Sequence, residues 1–174
     1  MRNPLLKYAP VVFVVLLPVL GFVVWGLDQA STSHVPVTGG LPEQANRYRV
    51  ARVVDGDTVH MKDGTKVRLY GIDTPERDQP YGKQATRLLD KLTGPHVFVL
   101  EQSTDRYGRL VGVLYDDDGE NINLAMVCQG AAWWYQRYAP NDRDLGDCQG
   151  TARAQQLGLW AVKDPVPPWD WRRR

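Results

Sequence analysis

The sequence predicts an α+β domain built on a small five-stranded β-barrel with helical additions. Three observations support this fold class. Five short runs alternate between apolar and polar residues, two of them are separated by an Asp-Gly turn, and segments with helical spacing lie between the later runs. The length of 174 residues and the apolar content of 43% suit one compact domain with its own core.

The first three strands are expected over residues 48–54, 58–62 and 66–71. Asp55-Gly56 follows the first strand, and Asp63-Gly64 separates the second from the third. Asp-Gly between two alternating runs is a strong signal for a β-hairpin. The sequence therefore predicts a meander whose second connection is a tight turn.

The apolar alternation in this hairpin predicts its register, with Val59 opposite Leu69. That register brings Asp57 and Asp73 to one face, about 7–8 Å apart at the backbone. Two carboxylates at this spacing can reach one cation. Arg68 falls on the other face of a flat sheet, so it joins the aspartates only if the strands coil or bulge, as in a closed barrel.

The later elements follow from their own local patterns. Apolar residues at helical spacing predict a first helix, and Gly130 is expected to end a second. Asn141 is the expected cap of the last helix. The predicted elements are a helix over 81–93, strands over 97–100 and 110–115, a helix over 123–129 and a helix over 141–157. A C-terminal tail is placed over residues 163–174, and its proline-rich part over 165–174 is expected to be extended.

The N-terminal region predicts a membrane anchor over residues 9–27, which carry no charged side chain. As a helix this run would be about 28 Å long, close to the thickness of a bilayer core. Arg2 and Lys7 precede it, so the positive-inside rule places residues 1–8 in the cytoplasm and the domain that follows in the periplasm or outside. Secretion after cleavage of a signal peptide is the alternative. Residues 28–46 are expected to form a flexible linker to the domain over 47–162.

The formal net charge of +1 argues against a protein that holds nucleic acid by bulk electrostatics, so phosphate contacts must be local. No histidine and cysteine cluster has the spacing of a zinc site. Cys128 and Cys148 suffice for one bridge, and in an oxidising compartment a disulfide is favoured over two buried thiols.

Four motifs carry a resemblance to a known family: VVDGDTV, VRLYGIDTPE, TDRYGR and INLAMVCQGAAWWY. In order and spacing they resemble the staphylococcal nuclease (thermonuclease) family, over about residues 49–160. The resemblance implies an OB-type five-stranded barrel with three helices. It also implies a calcium-dependent phosphodiesterase that cuts DNA and RNA with little sequence preference and leaves 3′-phosphate ends.

The resemblance assigns roles residue by residue. Calcium, which prefers carboxylate and carbonyl oxygens, would be held by the carboxylates of Asp57 and Asp73 and the main-chain carbonyl of Thr74. The other implied site residues are Glu76 as general base, Arg68 and Arg109 as phosphate-binding arginines, and Tyr107 and Tyr138 at the nucleotide site. Arg106, beside Tyr107 in the same turn, is a further candidate for substrate binding.

The expected enzyme is thus a monomeric, membrane-anchored nuclease whose partners are DNA and RNA, with single-stranded or frayed segments preferred. One alternative is a non-catalytic module of the same fold that binds nucleic acid or protein. Another is a membrane scaffold whose domain only docks a partner. The complete set of carboxylates and arginines favours the enzyme, because degenerate copies of the domain lack it.

Overall fold

The computed structural model describes residues 40–174, and a closed five-stranded β-barrel lies at its centre. The strands in chain order are β1 (Asn46–Asp55), β2 (Thr58–Met61), β3 (Lys66–Leu69), β4 (Ile72–Asp73), β5 (His96–Thr104), β6 (Leu110–Tyr115) and β7 (Trp133–Trp134). The barrel closes in the order β1-β2-β3-β6-β5, with β3 and β6 parallel and the other neighbours antiparallel. The predicted five-stranded barrel with helical additions is confirmed.

The register of the β2–β3 hairpin differs from the prediction. Val59 pairs with Val67 rather than Leu69, so each residue of β2 pairs with a residue two positions earlier in β3 than predicted. The cause is the position of the three-residue loop, which covers residues 62–64 rather than 63–65. The amide of Met61 donates to the carbonyl of Thr65, and Gly64 has a φ of 92°. This backbone conformation favours glycine and is typical of three-residue hairpin loops. A shift of two residues leaves every side chain on its predicted face.

The short pair of β4 and β7 was not predicted, and it sets the position of Asp73. Gly71, with a φ of 74°, turns the chain away from the barrel after β3. Ile72 and Asp73 then pair antiparallel with Trp134 and Trp133. Asp73 is therefore held by a second sheet rather than by a continuation of the β2–β3 hairpin.

Helices cover the barrel and lead to the tail. They are α1 (Gly82–Thr93), α2 (Ile122–Cys128), α3 (Arg143–Ala154), a 3₁₀ turn (Gly158–Ala161) and α4 (Pro168–Trp171). The side chain of Asp142 caps α3 by accepting from the amide of Leu145, so the predicted cap at Asn141 is wrong by one residue. The tail is not wholly extended as predicted, because α4 forms with Pro168 at its first position, where proline is favoured.

The core fills the barrel with branched aliphatic side chains from alternating strand positions. Its most deeply buried members include Val59, Val67, Leu69, Val97, Val99 and Leu114 from the strands, and Leu89 and Met126 from the helices. A disulfide between Cys128 and Cys148 joins the end of α2 to α3, with the two Cα atoms 4.5 Å apart. This rigid body is the scaffold for the loops around β4.

The predicted membrane helix over 9–27, the stub over 1–8 and most of the predicted linker lie outside the described residues. Within residues 40–174, no helix has the length and apolar character to cross a bilayer.

Candidate active site

A cavity of about 900 Å³ opens beside β3 and β4, between the loop that follows β4 and the turn between β5 and β6. It is lined by every residue that the sequence put forward for metal, phosphate or nucleotide binding: Asp57, Arg68, Asp73, Thr74, Glu76, Arg106, Tyr107, Arg109 and Tyr138. The structure therefore gathers residues from distant parts of the chain around one opening.

Arg68 links the two aspartates. Its Nε lies 3.1 Å from Asp57 Oδ1, and its Nη2 lies 3.1 Å from Asp73 Oδ1. Nη1 also donates to the main-chain carbonyls of Leu69, at 2.8 Å, and Ile72, at 3.0 Å. The guanidinium thus follows the turn that leaves β3, which explains how an arginine on the outer face of the sheet reaches both carboxylates.

Asp57 is tied to Thr74 by its other oxygen. Asp57 Oδ2 accepts from the amide of Thr74 at 3.0 Å and from its hydroxyl at 2.9 Å. Gly56 allows this close approach, because a Cβ at that position would lie 2.6 Å from Thr74 Oγ1. The contacts fix the main chain of Thr74 beside the carboxylate of Asp57.

Glu76 lies in the loop between β4 and α1. Its amide donates to Gln79 Oε1 at 3.0 Å, which braces the loop. The side chain of Glu76 is 37% exposed, and its Oε1 accepts from Arg172 Nη1 at 2.6 Å. The carboxylate is therefore accessible from the cavity and held by a residue of the C-terminal tail.

Arg109 is oriented by Asp105 within the turn between β5 and β6. Its Nε donates to Asp105 Oδ2 at 2.8 Å, and Asp105 Oδ1 accepts from the amides of Tyr107 and Arg109. Burial opposes ionisation of Asp105, but these hydrogen bonds outweigh it and hold the pKa of that carboxyl below its usual value. Tyr107 is 67% exposed, and Arg106 donates to its hydroxyl at 2.6 Å.

A second group of aromatic residues forms the opposite wall. Tyr138 is 59% exposed and meets Tyr135 edge to face, with ring centroids 4.8 Å apart. Tyr135 in turn stacks on Trp169 of α4, at 5.0 Å and nearly parallel. The exposed rings of Tyr107 and Tyr138 offer flat apolar faces at the mouth of the cavity.

The acidic side chains at the base of the cavity disfavour one another's charge. Burial raises the pKa of Asp73, and the charge of Asp57 raises it further, although Arg172 and Arg68 oppose the shift. Burial, together with the charge of Asp57, raises the pKa of Asp55 to about 6. Such an environment favours any cation that can enter.

The oxygen donors at this position fit a hard divalent cation. Carboxylate and main-chain carbonyl oxygens are ligands of the kind that calcium accepts in loose geometry, and the carboxylates of Asp57 and Asp73 both contact Arg68 here. Within residues 40–174, no three histidine, cysteine, aspartate or glutamate side chains converge as a ready metal cluster. The residues that would hold a cation here are Asp57 and Asp73, with the main chain of Thr74 beside them.

Sequence reasoning did not include Arg172 or Arg137 among the site residues, yet both line the cavity. The arginine run at residues 172–174 was expected to be a solvated tail, with attraction to phosphate or lipid headgroups as the sharper alternative. The signal that could have singled it out is the PPWDW segment just before the run, because tryptophans in a tail indicate packing onto the domain.

Comparison with known proteins identifies the family. The family model described as "Staphylococcal nuclease homologue" matches residues 66–162. The chain belongs to this family. It is 47% identical over 130 residues to an uncharacterized endonuclease of Escherichia coli O157:H7, which covers 72% of this chain and 84% of the relative.

Two further relatives show how widely the domain occurs. A micrococcal nuclease of Shigella flexneri is 39% identical over 159 residues, covering 83% of this chain and 91% of the relative. The staphylococcal-like nuclease CAN1 of Arabidopsis thaliana is 40% identical over 130 residues, covering 74% of this chain and 39% of that longer protein. Together these relatives support the predicted hydrolytic nuclease activity.

Proposed function

We propose that the protein is a calcium-dependent endonuclease that hydrolyses phosphodiester bonds of DNA and RNA with little sequence specificity and leaves 3′-phosphate ends. The observation that carries the proposal is the bridge from Arg68 to both Asp57 and Asp73, in a cavity that Glu76 and Arg109 also line. Carboxylates for a cation, arginines for a phosphate and a further carboxylate for proton transfer are the parts that this hydrolysis needs.

The arginines bind the scissile phosphate and the charge that grows on it. A guanidinium presents paired N–H donors to phosphate oxygens and keeps its proton at all working pH values. Arg68 is preoriented by the main-chain carbonyls of the turn after β3, and Arg109 by Asp105. Donors fixed in this way lose little freedom when the transition state forms.

Glu76 takes a proton from the water that attacks the phosphorus. The bond from phosphorus to the 5′ oxygen breaks, so the phosphate stays on the 3′ end and the leaving 5′ oxygen takes a proton from water. Its carboxylate is more than a third exposed and faces the same cavity as the arginines, so a water molecule can reach it. General base catalysis of this kind contributes about 10²–10⁴-fold. Calcium, held by Asp57, Asp73 and Thr74, would supply positive charge next to the phosphate oxygens.

The substrate strand lies across the two exposed tyrosines. Base stacking on Tyr107 and Tyr138 would hold a single-stranded or frayed segment without selecting a sequence, because every base has a flat face. The cationic groups beside these rings, Arg106 and Arg137, lie 4.7 and 6.0 Å from the ring centroids. They would add local attraction for the backbone in a chain of almost neutral net charge.

Digestion of single-stranded DNA and of RNA by the full chain tests the proposal. Cleavage is expected with calcium and is expected to stop on addition of a chelator. Asp73→Asn should abolish cleavage and weaken calcium binding measured by calorimetry. The matched control is Asp117→Asn, in an exposed turn away from the cavity, which should change neither. Binding of nucleic acid that is insensitive to chelator and occurs without cleavage would instead indicate a non-catalytic module.

We also propose that the uncharged run over residues 9–27 tethers the domain to the membrane, with the domain on the periplasmic or outer side. The mass of the mature protein tests this proposal, because loss of residues 1 to about 30 would indicate that a signal peptide is cleaved and the domain is secreted.

A further inference from the structure

The C-terminal tail places one arginine against two acidic residues of the candidate active site. Arg172 Nη1 donates to Glu76 Oε1 at 2.6 Å, and Nη2 donates to Asp73 Oδ2 at 2.7 Å. Nη1 also lies 3.3 Å from Asp73 Oδ1. One guanidinium therefore spans the residue proposed as general base and a residue proposed as cation ligand.

The tail that carries Arg172 is anchored by packing that does not involve this arginine. Pro168 is buried, and Trp169 stacks on Tyr135 and meets Trp133 edge to face at 5.7 Å. Upstream, Gln79 Nε2 donates to the carbonyl of Val166 at 2.6 Å. Gln79 also braces the amide of Glu76, so the tail and the Glu76 loop share one support.

The other two arginines of the run have contacts elsewhere. Arg173 pairs with Asp170 at 3.4 Å, and Arg174 lies 4.9 Å from the ring centroid of Trp171. Neither lines the cavity, whereas Arg172 does. The placement of Arg172 is thus specific to one side chain and does not reflect a general attraction of a basic tail to an acidic pocket.

We propose that Arg172 is a positioning residue of the nuclease: its guanidinium is anchored on the buried Asp73 and holds the Glu76 carboxylate in place for proton transfer. The inference rests on the proposed function. A glutamate in an open loop has many rotamers, and a fork that binds it together with a buried aspartate selects one of them. Partners that orient ligands and bases in this way typically contribute about 10–100-fold to activity.

The test compares Arg172→Ala, Arg172→Lys and the matched control Arg174→Ala in the full chain at saturating calcium. Arg172→Ala is expected to lower kcat by about 10–100-fold with little change in KM. Arg172→Lys should recover only part of this loss, because an ammonium keeps the charge but not the fork. Arg174→Ala should match the wild type.

Two further measurements separate positioning from other roles. In a Glu76→Gln background Arg172→Ala should cost little additional activity, because the arginine acts through Glu76. Calcium affinity measured by calorimetry should be equal or tighter in Arg172→Ala, since a neighbouring positive charge is removed. The thermal midpoint should show that the variant is folded.

The proposal is overturned if Arg172→Ala leaves kcat unchanged or raises it at saturating calcium. Such a result, with tighter calcium binding, would mean that the tail competes with the cation. Equal losses of activity in the wild-type and Glu76→Gln backgrounds would also overturn it. If the wild-type chain shows no calcium-dependent cleavage at all, the proposed function fails first, and that outcome is distinct from each of these.

Discussion

A single carboxylate oxygen of Asp57 accepts two hydrogen bonds from Thr74, one from the amide at 3.0 Å and one from the hydroxyl at 2.9 Å. Both residues are buried. The pair joins the residue just before β2 to the loop after β4, and the chain reaches that loop through the turn at Gly71, whose φ is 74°. The geometry of the proposed cation site therefore depends on a contact between side chain and loop.

Removing the Thr74 hydroxyl should loosen this contact. We expect Thr74→Val to weaken calcium binding several-fold and to lower the free energy of unfolding by about 1–3 kcal/mol, because a buried acceptor loses a partner. Thr74→Ser keeps the hydroxyl and should bind calcium like the wild type. Calorimetry and urea unfolding measure the two effects. Equal calcium affinity in all three proteins would show that the hydroxyl does not shape the site.

The close approach of α1 to the Glu76 loop gives a second prediction. A Cβ on Gly82 would overlap the main-chain carbonyl of Glu76. Gly82→Ala should therefore displace the loop and lower both activity and stability, because the new methyl group meets main-chain atoms that cannot rotate away as a flexible side chain can. Gly150→Ala is the matched control, since nothing lies within 4 Å of its Cβ position in α3. It should stabilise the protein by up to about 1 kcal/mol. If Gly82→Ala has the activity and stability of the wild type, the close contact between α1 and the Glu76 loop does not constrain that loop.

The main strands of the barrel could be predicted from the sequence because their signals are local. Alternation and Asp-Gly turns located β2 and β3 within one or two residues. The register was wrong because an Asp-Gly pair does not determine where the loop begins: the three-residue loop covers residues 62–64, with Gly64 at positive φ, rather than residues 63–65. The β4–β7 pair was not predicted, because strands of two residues are too short to show the alternation of apolar and polar residues that identifies a strand.

The candidate site divides in the same way. Its metal and phosphate residues lie in short motifs, so family resemblance could assign them. Arg172 lies 96 residues from Glu76 and 99 from Asp73, and no local pattern reports a contact at that distance. Its position follows from the packing of Trp169 on Tyr135, which is a tertiary property. Arg68 was placed correctly on the outer face. The way its side chain reaches around the turn after β3 to the two aspartates could not be predicted, because it depends on the conformation of that turn.

The lowered pKa of Asp105 predicts a pH-dependent contribution to stability. Because the folded state favours the ionised carboxylate, the contribution is present above the ordinary value of 3.8 and is lost as the pH falls through the lowered one. Asp105→Asn should be less stable than the wild type at pH 7 by about 1.5–3 kcal/mol, the range for hydrogen bonds to a charged group. The difference should narrow below pH 3.8.

Urea unfolding at neutral and acidic pH measures this difference. Asp117→Asn, in an exposed turn, is the control and should follow the wild type at both pH values. If the difference in free energy of unfolding between Asp105→Asn and the wild type is the same at every pH, the lost stability does not come from the charge of Asp105. It then comes from the poorer hydrogen-bonding geometry of the asparagine amide.

The disulfide gives the last prediction. Cys128 and Cys148 are 20 residues apart in the chain and join α2 to α3. A loop of this length is expected to stabilise the fold by about 3 kcal/mol, chiefly by restricting the unfolded chain. Reductant should therefore lower the thermal midpoint of the wild type by several degrees. The Cys128→Ser/Cys148→Ser variant should already melt at the lower temperature and be insensitive to reductant. Since neither cysteine lines the cavity, cleavage well below the midpoint should persist in both proteins. If reductant does not change the thermal midpoint of the wild type, even when the bridge is first reduced in the unfolded chain, the disulfide does not contribute the stability assigned to it.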